Sequence, residues 1–492
     1  MKKALTYKII GIVIVVVWIF MIAELARRTH FASKDVEFTH EDEKGIPKGD
    51  SIQWMDILLK GRKAGYAVTK ITRVNGQREV NERVFLIVNL MGSTRKILST
   101  TRAQVDEGFH VTSFTFSLSS GLIDFKVSGR IKGKDLFIWM GQEGQGEVKR
   151  IRLPVKPMIN AGVTQYFRSR ELKVGHTFSF PLFDPVIMTT NPAVIKVVGK
   201  EEITLNDTTY DAFRLEMSFL GKTLIFWLDE QGNSLKEEGF MGFTLVRTTP
   251  SKALAGLDSS MRVDFYELSA IAVAKELENP REASYLSVRF DQLPSSMPID
   301  GSRQIMEGEI VKVVKEMPPF AASYTIPHRG GNRKLMPYLM PEPLVQSGDE
   351  EIISAAEEIV GGTTEPYAAA KLLMEWVFEN MEKTPLVSIP DAKQILRDRK
   401  GDCNEHAALL TALLRAVGIP ARIAVGLVYN DGKFYYHAWN EAYLDRWISM
   451  DATLNQVPAD ATHIKLVDGG LEKQIQIVGM IGNLTVTILD YR

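Results

Sequence analysis

The spacing of apolar positions changes character along this chain. Ile9 to Ala23 is an unbroken apolar run, IIGIVIVVVWIFMIA, preceded by Lys2, Lys3 and Lys8. It is slightly short of the ~17–25 residues that usually span a bilayer. Leu25 and Ala26 extend it past Glu24, and Lys8 can carry its ammonium out to the interface. No pair of small residues sits where a signal peptidase would cut. The run therefore predicts an uncleaved single-pass anchor over 1–26 in the inner (cytoplasmic) membrane, with the bulk of the chain periplasmic or extracellular. Residues 27–48 are polar and charged and read as a tether.

From 49 to 270 the pattern alternates with a period of two. Turn signals recur, as at Asn75-Gly76, Lys132-Gly133-Lys134-Asp135 and Gln231-Gly232-Asn233. Short strands punctuated in this way predict an antiparallel β-rich domain, as barrel, half-barrel or sandwich. Residues 271–348 mix the strand-like ASYLSVRF with proline-rich turns and read as a connecting segment. A helical period then takes over at 349–465. Ile352, Ala355, Ala356 and Ile359 follow Asp349, and Ala369, Leu372, Leu373 and Trp376 share a face of a second helix. A short helix follows Pro390. A fourth begins near Cys403 and stops at Gly418-Ile419-Pro420, with apolar residues on most sides. Three strands are expected next, Ala421–Tyr429, Phe434–Leu444 and Trp447–Thr453, and further strands over 466–492. The fold class is α+β: membrane helix, antiparallel β-rich domain, then an α+β domain.

Composition narrows the function classes. A chain of 492 residues exceeds one core, and its formal net charge of −1 gives no electrostatic footprint for nucleic acid. The single cysteine excludes an intrachain disulfide and any zinc site built on several thiolates.

That cysteine has a specific address. Asp402 can cap the fourth helix, which puts Cys403 at its first position, and Gly401 permits a tight turn before it. Unpaired N–H groups and the helix dipole there are expected to lower the thiol's pKa. His437 and Asp451 lie on successive predicted strands. If the turn between these strands centres near Leu444 or Asp445, both side chains point from one face, so the carboxylate can orient the imidazole. A zinc reading of Cys403, His406, His437 and Asp451 is weaker than one in which His406 packs or caps its helix. Trp439 is a candidate for the substrate-binding wall or for sheet filler. The Cys403 backbone N–H is a candidate oxyanion donor.

Gly401-Asp402-Cys403, the Ala/Leu-rich helix, Gly418-Ile419-Pro420-Ala421-Arg422, His437-Ala438-Trp439 and Trp447-Ile448-Ser449-Met450-Asp451-Ala452-Thr453 together resemble the transglutaminase-like superfamily in its bacterial form. The resemblance covers about Asp349 to Asn455. It implies a papain-like fold with Cys403 as nucleophile, His437 as general base and acid, and Asp451 as orienting carboxylate. It implies a cysteine enzyme acting on amide or peptide bonds of a protein or peptide substrate through a thioester, by hydrolysis or transamidation, without cofactor or metal. Asp402 and Asn404 replace the Gln and Trp that flank the cysteine in animal transglutaminases, so crosslinking and calcium dependence do not carry over. The alternative is a catalytically inactive domain that binds protein or cell wall, with the β-rich module as the ligand-binding part.

Overall fold

The computed structural model describes residues 51–492, apart from single residues and short stretches of which 258–263 and 478–483 are the longest. The expected anchor over 1–26 and tether over 27–48 lie outside the described residues. Among those described, no helix is long and apolar enough to cross a membrane.

The β-rich domain is one antiparallel sheet of fourteen strands. Its first strand, Ser51–Leu59, pairs on one side with Arg62–Val74 and on the other with the last strand, Phe243–Thr248. The two edges are Val148–Arg152 and Thr177–Asp184. Register shifts between Ile57/Leu58, Gln104/Val105 and Val197/Gly199 bend strands that alternation alone would leave straight. The two ends curl toward each other, for Met158 bridges both His110 and Leu182. Phe114 and Phe183 also meet with ring centroids 5.0 Å apart. The helix Asn160–Phe167 lies against the inner face. Val163 and Phe167 on that helix, together with Gln53, Thr69, Glu82 and Glu237, help line a cavity of about 60 Å³.

The segment expected to connect the two modules is built as structure. Tyr285–Asp291, Gln304–Glu307 and Ile310–Val314 form a four-stranded sheet with the C-terminal strand Thr485–Tyr491. The period-two pattern of Tyr285–Asp291 is local, but its partner is remote, with Val288 facing Ile488. Leu286, Val288 and Phe290 share one apolar core with Ile352, Leu373 and Leu410, so this sheet belongs to the same body as the helices that follow.

Those helices are α1 (Glu350–Val360), α2 (Pro366–Asn380), α3 (Ala392–Asp398) and α4 (Cys403–Ala416). Each begins after an acidic cap: Asp349, Glu365, Asp391 and Asp402 accept hydrogen bonds from first-turn N–H groups. Every residue of α4 from Glu405 to Arg415 is buried, as its lack of a polar face requires. Strands β1 (Ala421–Asn430), β2 (Lys433–Tyr443), β3 (Trp447–Met450) and β4 (Ile464–Asp468) follow. β1 lies between β2 and β4, and β3 pairs with β2. At Gly426 a Cβ would stand 2.0 Å from the Ile464 carbonyl oxygen, so only glycine lets β1 and β4 approach this closely.

Candidate active site

The first turn of α4 is fixed from both sides. The Asp402 carboxylate accepts the Asn404 N–H at 2.9 Å, and Glu405 Oε2 accepts the Asp402 N–H at 2.8 Å, a reciprocal capping box. A Cβ on Gly401 would come within 2.2 Å of Glu405 Cβ, which accounts for glycine at that position. The sheet is tied to this helix by Asn440, whose Nδ2 donates to the Ala407 carbonyl at 2.9 Å and to Thr411 Oγ1 at 2.7 Å. Farther along β2, the Tyr436 hydroxyl donates to Asn404 Oδ1 at 2.9 Å.

Strand β2 is paired unevenly. β1 covers it from Lys433 to Ala442. Among the described residues its other edge is paired only at Lys433–Phe434, by Ile271–Ala272, and at Asn440–Tyr443, by β3. Cys403 sits at the interval between them, where the Ala438 N–H donates toward its sulfur. The nucleophile candidate thus lies beside the residue that follows His437.

Tyr443 faces Trp447, so the β2–β3 turn centres on Asp445 and Asp451 falls diagonally across from His437. This is the geometry expected for a turn at that centre. His437 Nε2 donates to Asp451 Oδ2 at 2.7 Å. That bond assigns the imidazole proton to Nε2 and leaves Nδ1 with a free lone pair. Asp451 Oδ1 accepts the Thr453 and Leu454 N–H groups at 2.7 and 3.1 Å. Burial alone would raise the Asp451 carboxyl, but the charges and hydrogen bonds of His437 and His463 outweigh it and hold the group well below the usual range.

Two expectations change. Burial pushes the Cys403 thiol well above its ordinary pKa, and the nearby Asp402 and Glu405 carboxylates add to that, while the Ala438 N–H pulls the other way. The carboxylates that cap the helix therefore oppose the dipole effect that predicted a lowered value. Trp439 is only 1% exposed and packs against His437 and His463, with centroids 6.1 and 5.2 Å away. It lies beneath the site as filler and forms no accessible wall. His406 behaves as a capping side chain, with Nδ1 2.7 Å from the Asp402 carbonyl oxygen.

His463 is the residue that sequence reasoning missed. Its Nε2 is 3.0 Å from the same Asp451 Oδ2 that His437 uses. The ligand atoms of His437, Asp451 and His463 all lie within 4.8 Å of one another, a set that could hold a metal ion. Their separations of 2.7 and 3.0 Å from one carboxylate oxygen are those of hydrogen bonds.

Residues 353–452 match the model of the Transglutaminase-like superfamily. This segment is a transglutaminase-like domain. Residues 52–238 match a family of proteins of unknown function, DUF3108. An uncharacterized protein from Haemophilus influenzae is 32% identical over 114 residues, which are 21% of this chain and 31% of that protein. The chain thus spans about a third of that relative's length. Two solved structures are similar at low identity. One is a candidate cysteine protease from Cytophaga hutchinsonii, 18% identical, covering 43% of this chain and 87% of that one, with a TM-score of 0.27. The other is the periplasmic domain of TgpA from Pseudomonas aeruginosa, bound to ethylmercury. It is also 18% identical, covering 39% of this chain and 93% of that one, with a TM-score of 0.23. His463 lies beyond the matched residues of the transglutaminase-like domain.

Proposed function

We propose that the transglutaminase-like domain is a cysteine acyl-transfer enzyme acting on amide or peptide bonds of a protein or peptide substrate. The single observation that carries this reading is the position of Cys403 against the Ala438 N–H of β2, the residue next in sequence to a His437 whose Nε2 is committed to Asp451. His437 Nδ1 takes the thiol proton as sulfur attacks the carbonyl carbon. The C–N bond then breaks, His437 returns the proton to the departing amine, and a thioester remains on Cys403. Water or a second amine attacks the thioester, giving an acid or a new amide and restoring the thiol. Asp451 keeps the imidazole oriented and stabilises its protonated form. Because the resting thiol holds its proton, deprotonation accompanies attack instead of preceding it. In this reading residues 1–26, with the apolar run at 9–23, anchor the chain in the inner membrane with the domain outside.

The test is mass spectrometry of the full-length chain incubated with peptide amides. An acyl adduct on Cys403, absent from Cys403→Ala together with all turnover, is expected. Substantial turnover by Cys403→Ala would overturn the proposal. A second reading, with the β-rich domain as the ligand-binding part of an inactive protein, draws on its inner cavity. A ligand that copurifies with the chain and is lost on filling that cavity would favour it.

A further inference from the structure

Asp451 accepts two imidazoles on one oxygen, and the second has no part in the acyl transfer outlined above. His463 is fully buried. Its Nε2 faces Asp451 Oδ2 at 3.0 Å, while its Nδ1 faces the Asp460 carbonyl oxygen at 3.2 Å and Asp460 Oδ1 at 3.3 Å. Asp451 is an acceptor throughout, taking two backbone N–H groups on Oδ1 and two rings on Oδ2. Asp460 Oδ1 accepts the Thr462 N–H at 2.8 Å and the Thr462 hydroxyl at 2.5 Å. A neutral imidazole has one donor and one acceptor nitrogen, and would set a lone pair against one of these oxygens. Only the doubly protonated ring satisfies both sides.

We infer that His463 is a positioning residue, a buried imidazolium clamped between Asp451 and Asp460 that shares the Asp451 charge and thereby weakens the pull of that carboxylate on His437. The inference rests on the proposed roles of Cys403, His437 and Asp451. A carboxylate shared by two imidazoles attracts a proton to His437 less strongly than an unshared one would. The groups around the clamp carry both signs, and the two carboxylates stand nearest the ring. The Trp439 ring lies 5.2 Å and the His437 ring 5.6 Å from His463. Behind the clamp Arg281 is 3.0 Å from Asp460 Oδ2, and Arg303 Nη2 donates to the Asp460 carbonyl at 2.7 Å. Lys383 and His406 also feel the Asp451 charge. Burial would lower the proton affinity of His463, but Asp460 and Asp451 outweigh it and raise it.

The experiment is histidine ¹³Cε1 NMR of the full-length chain between pH 5 and 9, with iodoacetamide alkylation of Cys403 followed over the same range. His463 is expected to stay protonated throughout while His437 titrates. In His463→Gln the amide still donates to Asp451 without carrying charge. The His437 midpoint should then move up by about one pH unit, and alkylation near pH 6.5 should quicken several-fold as the thiolate–imidazolium pair gains population. Asp460→Asn keeps an acceptor for Thr462 and removes one anion from the clamp, so a His463 titration should emerge inside the window; this arm decides if His463→Gln does not fold. A His463 that titrates like a free imidazole in the unmodified chain overturns the inference. So does a folded His463→Gln with the His437 midpoint and alkylation profile unmoved. His437→Ala separates the two claims. An alkylation profile indifferent to this substitution defeats the proposed pairing with Cys403, whereas a responsive His437 with an indifferent His463 defeats only the clamp.

Discussion

Cys403 shows how one side chain can be held in reserve. It takes the first position of α4, yet the residues that build that helix start, Asp402 and Glu405, are both acids and sit close to the sulfur. Asp402→Asn retains a capping oxygen, since asparagine and aspartate cap about equally well. It also removes the largest of the three carboxylate charges, those of Asp402, Glu405 and Asp451, that raise the thiol. The reactive pKa should therefore fall, and iodoacetamide alkylation at pH 7–8 should accelerate by roughly tenfold for each pH unit of that fall. An unchanged profile would mean that burial alone sets the thiol. Identity and spacing, with the family resemblance, made Cys403, His437 and Asp451 legible as candidates, and the His437–Asp451 pairing is the part the geometry displays. The direction in which the thiol's pKa moves was not, because it depends on how deeply the first turn is packed and on which way two carboxylates point. His463 was not legible either. Its link to Asp451 passes across a turn and through space, and a lone histidine before a strand gives no local signal.

The elements carry this site through their register and their buried charges. The centre of the β2–β3 turn was readable as one of two positions, and Asp445 is the one adopted. β3 ends at Met450, short of the expected Thr453, because Asp451 turns back to bridge Gln456. Its carboxylate thereby gains the Thr453 and Leu454 N–H groups, which a continuing strand would not supply. On β2, Glu441 is buried between Lys465 of β4, at 2.8 Å, and Arg422 of β1, at 2.7 Å. Burial alone would raise its carboxyl, but these two cations outweigh it and lower it. The folded state thus binds fewer protons here than the unfolded chain. The resulting stability is present above the ordinary value of 4.5 and is lost as pH falls below it. Glu441→Gln leaves two cations without their anion and should cost about 3–5 kcal/mol at pH 7. The penalty should shrink toward pH 4, as read from urea melts at both pH values.

At the scale of the whole molecule, remote segments hold the site together. The loop between β3 and β4 carries Asp451, Asp460 and His463. Arg281 and Arg303, from the stretch that local pattern showed only as a connector, brace it from behind. Alternation identified the β-rich domain but could not choose among closures, because curling depends on register shifts and on contacts such as Met158 with Leu182. Inside that domain the Glu82 carboxyl is pushed up to about 7, first by burial and then by the charge of Glu237. Here the folded state binds more protons than the unfolded one. Stability should therefore decline as pH rises from about 4.5 to about 7. Glu82→Gln should recover about 1–3 kcal/mol at pH 8 and change little at pH 4. An equal effect at both pH values in denaturant melts would contradict this.

The pairing of Ser51–Leu59 with Phe243–Thr248 imposes an order of events on a growing chain. The opening strand meets its hairpin neighbour within a few residues, but its other side waits until nearly the whole domain has left the ribosome. At ~5–20 residues per second that delay is on the order of ten seconds or more. Throughout it, an apolar strand bearing Trp54, Met55 and Ile57 offers an unpaired edge to any other extended chain. Interrupting synthesis before residue 243 should therefore leave a species that aggregates or recruits a holdase, whereas release after residue 248 should not.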